Sequence, residues 1–304
     1  LPGTSHRGPV PSLTSEEAIV RAALENHVRT LAVTIGERNL YRYEALQASA
    51  EHIRRSLEQM GYKVQEQPYL IGQKTVRNIA AELPGSVKSD EIVLVGAHYD
   101  SVVGSPGADD NASGVAALLE LARMARLKHT ARTRRFVAFV NEEPPFFLSG
   151  SMGSQVYARQ AKSRGEKIVA MLSLETIGYF SDCPGSQFYP FPVNFLYPKT
   201  GNFIGFVSNL GSRGLVHRTI RVFRSRCPIP SEGIAAPSVI PGINWSDHWS
   251  FWQQGYPAIM VTDTALYRNP HYHSERDTPD HLDYDRLARV VSGLDTVLDD
   301  LAGR

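Results

Sequence analysis

Cysteine is almost missing: Cys183 and Cys227 are the two in 304 residues, and they do not form a Cys-x-x-Cys spacing. A thiolate zinc site and a thioredoxin-like redox centre therefore have no support. The pair allows one bridge, closing a loop of about 45 residues and contributing about 4 kcal/mol, or two unpaired thiols. Net charge is missing too, with Lys+Arg 32 against Asp+Glu 31 and a formal +1. Without a dense basic face, neither nucleic acid nor an anionic membrane is expected as the main partner. No window approaches 18 consecutive apolar residues, and the longest apolar stretches, Ile92 to Val95 and Val115 to Leu119, have the length of core elements, so no membrane span is expected. No repeat of 20–50 residues is apparent. The chain starts at Leu1 with no leader-like segment, and the expectation is a processed protein, secreted or periplasmic.

What is present is ordinary globular composition, 42% hydrophobic with Gly 24 and Pro 19. A chain this long hides roughly 75% of its unfolded surface, so a metal would be there for chemistry and not to hold the fold. Residues 1–13 carry three prolines and no period, which predicts an arm; residues 14–304 are expected to form one catalytic domain. Thr14-Ser15-Glu16-Glu17 has capping-box form and opens a helix reaching about Val33. Leu46, Ala50, Ile53, Leu57 and Met60 mark one face of a second helix, with Gly61 at its C-terminal cap. Strands are expected at Tyr62 to Tyr69, Val76 to Leu83, Glu91 to His98, Arg135 to Asn141, Ile168 to Leu174 and Ala258 to Thr262. Helices are expected at Val115 to Leu127, Ser151 to Ser163 and Asp283 to Leu301. The alternation predicts an α/β three-layer sandwich, a mixed, centrally parallel sheet covered by helices on both faces. Residues 179–243 are predicted to be an irregular excursion near the site, with short helices around Asn202 to Leu210 and Val216 to Phe223.

Ligands in open α/β sheets bind beyond the carboxyl ends of the strands. Here those ends carry His98-Tyr99-Asp100, Asn141-Glu142-Glu143 and Glu175, while Asp109-Asp110-Asn111 opens the helix after His98, and His271-Tyr272-His273 follows the last strand. Each piece alone is an ordinary cap or a solvated acid. Together, two histidines and three carboxylates make the ligand set zinc prefers, and a shared carboxylate lets two metals sit roughly 3.5–4 Å apart.

HYDSV (98–102), PGADDNASG (106–114), FVNEE (139–143), SLETIGY (173–179) and PHYHSERDT (270–278) resemble the motifs of the co-catalytic zinc exopeptidases, the family of secreted bacterial aminopeptidases. The likeness covers the chain from Thr14 onward. It implies two zinc ions, or another divalent pair, held by His98, Asp110 and Glu175 on one side and Asp110, Glu143 and His273 on the other, with Asp110 bridging. Glu142 is then the general base, taking a proton from a water that zinc acidifies and returning it to the leaving amine. Tyr272 is a candidate donor to the developing oxyanion. Asp100 is the natural carboxylate to orient His98, and Asp247, in WSDHWSFW, is second to it as a supporting or substrate-facing acid. Trp245, Trp249, Phe251 and Trp252 are expected to pack. The implied substrate is a peptide or small amide, cut at its free N-terminus after an apolar or aromatic residue, with FYPFPVNFLYP (188–198) lining a pocket or simply packing.

One departure and two rivals remain. Position 175 is Glu where the best-known aminopeptidases of the family have Asp, which in the wider clan accompanies carboxypeptidase or other specificities. Glutaminyl cyclase, a single-zinc branch, is the enzymatic rival, although Tyr272 stands where that branch carries Trp. A catalytically inactive binding ectodomain of the same fold is the other, and such proteins lose ligands that are all present here.

Overall fold

Thr14 caps the first helix as its sequence dictates: the hydroxyl accepts from the Glu17 N–H at 3.1 Å, and the Glu17 carboxylate accepts from the Thr14 N–H at 2.8 Å. The computed structural model describes residues 1–191 and 193–303. Helix α1 (Ser15–Arg29) runs into a π turn at Thr30–Ile35 and is followed by α2 (Tyr43–Gln59). Gly61 takes a φ of +82° after α2, the left-handed conformation that costs glycine little. Then come β1 (Gln65–Ile71), β2 (Lys74–Leu83), β3 (Lys88–His98), α3 (Gly114–Ala125), β4 (Arg132–Phe139), α4 (Gly153–Ser163) and β5 (Lys167–Glu175). The chain continues through β6 (Ile204–Ser208), α5 (Arg213–Arg226), β7 (Ser231–Ala235), α6 (His248–Gln253), β8 (Ala258–Thr262) and α7 (Tyr284–Ala302).

The strands form one sheet in the order β1-β2-β4-β3-β5-β8-β6-β7. Its centre, β4-β3-β5-β8, is parallel, and antiparallel pairs flank it on either side. Covered on both faces, these central strands carry nearly continuous apolar runs. One face packs against α2, α3, α5 and α7, with α1 lying against α3 and α7, and the other face packs against α4 and α6. Leu287, Val290, Val291, Leu294, Val297, Leu298 and Leu301 of α7 are all at most 4% exposed. Burying each is worth about 1.5–3 kcal/mol. On the opposite face the rings of Phe139, Tyr157 and Phe251 meet, with centroids 5.7 Å and 6.0 Å from Phe139. This is the mixed, centrally parallel three-layer sandwich the sequence predicts.

Two expectations need correction. Asn202 to Leu210 is not a helix: Ile204–Ser208 is a strand, inserted antiparallel beside β8. Residues 179–243 are also less irregular than expected, because β6, α5 and β7 complete one edge of the sheet. Five-residue apolar runs such as IGFVS contain too few residues for a period of 2 to be told from 3.6, and pairing decides the outcome. The start of the arm lies on this edge, where the Pro2 and Gly3 carbonyls accept from Arg224 and the Ser5 hydroxyl accepts from the Ser231 N–H at 2.9 Å, while the Pro11 carbonyl accepts from Arg289 of α7. Cys183 is exposed, Cys227 is buried, and both are free thiols. No described helix is long and apolar enough to cross a membrane.

Candidate active site

Because β4, β3 and β5 are adjacent and parallel, their carboxyl ends deliver His98, Glu142, Glu143 and Glu175 to one edge of the sheet. Asp110 comes from the turn between β3 and α3, and His273 from the loop after β8. Five non-glycine residues at these junctions take positive φ: Asn141 (+59°), Thr176 (+45°), Thr264 (+87°), Ala265 (+47°) and His273 (+57°). Such backbone is costly and persists where the surroundings over-determine it, here just where a side chain must be aimed.

Asp110 lies between the two histidines. Its Oδ1 is 3.2 Å from His98 Nε2 and its Oδ2 is 3.0 Å from His273 Nε2. His98 Nε2 is also 3.3 Å from Glu175 Oε2, and His273 Nε2 is 3.3 Å from Glu143 Oε2. Two three-residue groups result, His98-Asp110-Glu175 and Asp110-Glu143-His273, with ligand atoms within 4.8 Å of one another in each. Glu142 belongs to neither, its Oε2 standing 3.9 Å from His98 Nε2. His98, Asp110, Glu142, Glu143 and Glu175 are all buried, whereas His273 is open to solvent.

The donor set and its electrostatics fit a divalent cation. Buried His98 Nε2, Asp110 Oδ1 and Glu143 Oε1 have no hydrogen-bond partner among the described residues. Orphaned polar atoms of this kind are rare in folded interiors, and imidazole with carboxylate is a donor set that suits a divalent metal. Burial holds Glu142 well above the usual carboxylate range, Glu175 and Glu143 adding to it. Burial and the Asp110 anion push Glu143 up to about 8. For His98, burial acts downward, but the Glu175 and Glu142 anions outweigh it and hold the imidazole well above its ordinary value. A divalent cation in either group would take over the role of those protons.

Asp100 supports the site in a way its position did not reveal. His98 Nδ1 donates to the Asp100 main-chain carbonyl at 3.2 Å and lies 3.6 Å from its carboxylate, which leaves Nε2 facing the cluster. The carboxylate itself accepts from the Glu142 N–H through Oδ1 and from the Glu143 N–H through Oδ2, both at 3.1 Å. Asp277 does the same for the other loop, accepting from the N–H groups of Asp109 at 2.9 Å and Asp110 at 3.1 Å. Ser246 donates to Glu175 Oε2 at 2.7 Å. Sequence reasoning assigned no task to Asp277 or Ser246, although both stand within quoted motifs. Asp247 is fully buried, and burial, with Glu175 and Asp100 adding to it, pushes its carboxyl up to about 7. His248 beside it bonds the Ile243 carbonyl at 2.8 Å.

The Tyr272 ring stacks on His273 at 3.8 Å, and burial holds its phenol well above the usual range, so it keeps its proton. Glu175 and Tyr272 line a cleft whose other walls include Tyr189, Val193, Tyr197, Ile243, Met260 and Tyr267. The FYPFPVNFLYP segment thus both lines the cleft and faces outward, with Phe191 and Phe195 exposed. Trp245, expected to pack, borders the cleft instead, while Phe251 and Trp252 do pack.

Among proteins of similar sequence, YfbL of Escherichia coli (strain K12) is 39% identical over 284 residues, covering 90% of this chain and 86% of its own. A probable leucine aminopeptidase 1 of Trichophyton verrucosum is 31% identical over 238 residues, and the aligned part covers 73% of this chain but 57% of that protein. The fold matches a zinc aminopeptidase from Bacillus subtilis with a TM-score of 0.75 at 15% identity, covering 93% and 95% of the two chains. It also matches a glutaminyl cyclase from Porphyromonas gingivalis with a TM-score of 0.71 at 20% identity, covering 96% and 100%. Residues 78–297, which take in each of the strand ends just described, match the model of peptidase family M28, and the chain belongs to that family.

Proposed function

We propose that this chain is a zinc-dependent aminopeptidase, removing single residues from the free N-terminus of peptides, with apolar or aromatic first residues preferred. The observation that carries it is the placement of the two Asp110 oxygens, one against His98 and one against His273, each within its own acid and imidazole group. His98, Asp110 and Glu175 would hold one zinc ion, and Asp110, Glu143 and His273 a second. When bound, zinc supplies Lewis acidity and brings the pKa of water from 15.7 towards about 7. Glu142, the carboxylate in neither group, is the general base: buried and readily protonated, it accepts the proton of the attacking water at Oε2 and passes it to the departing amine. Asp100 fixes the main chain beneath Glu142 and Glu143, so their side chains diverge to separate tasks. The Tyr272 hydroxyl, still protonated, donates to the developing oxyanion. The apolar cleft beside Glu175 receives the first side chain.

A panel of aminoacyl-anilides, N-blocked peptides and peptides with N-terminal Gln, on one preparation, tests the reading. Release of the first residue from unblocked substrates is expected, with Leu and Phe ahead of Gly. Turnover of blocked peptides alone would overturn it in favour of carboxy-terminal or internal cleavage. Ring closure of N-terminal Gln without hydrolysis would overturn it in favour of the glutaminyl cyclase chemistry of the structural neighbour.

A further inference from the structure

Arg38 is fully buried, and its guanidinium is spent on main-chain carbonyls. Nε donates to Tyr99 O at 2.7 Å, Nη2 to Gly107 O at 2.7 Å, and Nη1 to Pro106 O and, at 3.4 Å, to Gly36 O. Its own main chain is tied to the same loop: the Arg38 N–H donates to Ser101 Oγ at 3.1 Å and the Ser101 N–H donates to Arg38 O at 2.9 Å. One side chain thus brackets residues 99–107, the segment that leaves His98 and enters Asp109-Asp110. There is little slack in it. Gly107 has a φ of +59°, and a Cβ there would fall 2.3 Å from Asp110 O and 3.2 Å from Arg38 Nη2.

The charge of Arg38 has partners at longer range. Burial draws the guanidinium down to about 10, and the anions that oppose this most are Asp277 and Asp100. Those are the two carboxylates that each grip a pair of consecutive main-chain N–H groups, Asp277 at 109–110 and Asp100 at 142–143. The cation is thus bonded to the loop that runs from Asp100 to the Asp109–Asp110 clamp, and both clamping carboxylates act on it through space.

We propose that Arg38 is the positioning residue of the metal centre: by bracketing residues 99–107 between the Asp100 and Asp277 clamps, it fixes the spacing of His98, Asp110 and Glu143. This rests on the reading that those three residues hold metal. Lysine cannot substitute, because its ammonium is a point charge with three donors, whereas these carbonyls are met by a planar fork.

The test compares wild type, Arg38→Lys and Arg38→Gln for melting temperature, zinc affinity by competition with a chromogenic chelator, the visible spectrum of the cobalt(II)-loaded protein, kcat and KM. Wild type failing to bind zinc would remove the metal reading itself, and this proposal with it, whatever the variants do. If wild type binds, folded Arg38→Lys is expected to bind zinc about 10–100-fold more weakly. Its cobalt spectrum should be altered and its kcat lowered at saturating zinc, with KM within about threefold of wild type. Should neither Arg38 variant fold, Ser101→Ala, which cuts the Arg38 N–H tie to the same loop, carries the decision, with weaker zinc binding and an altered cobalt spectrum expected and wild-type values overturning the proposal. A folded variant that melts earlier yet keeps wild-type zinc affinity and cobalt spectrum would overturn the proposal and leave Arg38 a loop staple.

Discussion

Glu142 Oε2 stands 3.9 Å from His98 Nε2 and outside both three-residue groups, whereas its neighbour Glu143 ends 3.3 Å from His273 Nε2. Adjacent side chains at a strand end point apart, and both N–H groups are held by one carboxylate, Asp100. Two glutamates of one dipeptide are thereby given two environments.

Glu142→Gln is predicted to fold and bind zinc as wild type does while losing about 10²–10⁴-fold in kcat, the usual size of a missing general base. Glu143→Gln should instead lose metal, and part of its activity should return with excess zinc. Metal analysis and steady-state kinetics at several zinc concentrations check both.

Ser246→Ala removes the hydroxyl that donates to buried Glu175 Oε2 at 2.7 Å. Loss of one donor to a buried charged acceptor costs about 1–3 kcal/mol, so zinc affinity should fall about 5- to 150-fold, read by competition with a chelator. Unchanged affinity would show that Glu175 does not depend on this contact.

Chelation should lower the melting temperature, because Asp110, Glu143 and Glu175 then face one another without a cation. Zinc at 100 times its dissociation constant adds about 2.7 kcal/mol to the folded state, so re-addition should restore the transition in a concentration-dependent way. Differential scanning fluorimetry with and without chelator reads the effect.

His27 and His52 join α1 to α2 by a ring nitrogen contact of 3.1 Å. Burial, with His52 adding to it, draws His27 down to about 4. The unfolded chain takes up this proton near pH 6.5 and the folded one near pH 4, so stability present above pH 6.5 is lost as pH falls towards 4. The loss is at most about 3 kcal/mol. His27→Gln should flatten that slope in denaturant titrations between pH 4 and 7, and an unchanged slope would acquit the pair.

The sheet and the candidate site were legible because buried parallel strands are long apolar runs, and acids and histidines gathered at the ends of several adjacent runs have little reason to be there together except chemistry. His98, Glu142 and Glu175 follow that rule. The edge strand Ile204–Ser208 was not legible, since its identity depends on pairing with β8 and not on its own period. Asp277 was visible in a motif, but its task is a pair of main-chain bonds to residues about 167 positions earlier. Arg38 left no trace in the pattern, because its partners are carbonyls, which every residue has.

Zinc titration of the chelator-stripped protein, followed by elemental analysis, decides whether Asp110 is shared by a pair of zinc ions. Two equivalents per chain at saturation are predicted, with Asp110→Asn weakening both. Saturation at one equivalent, with a second site absent after reconstitution, would contradict it.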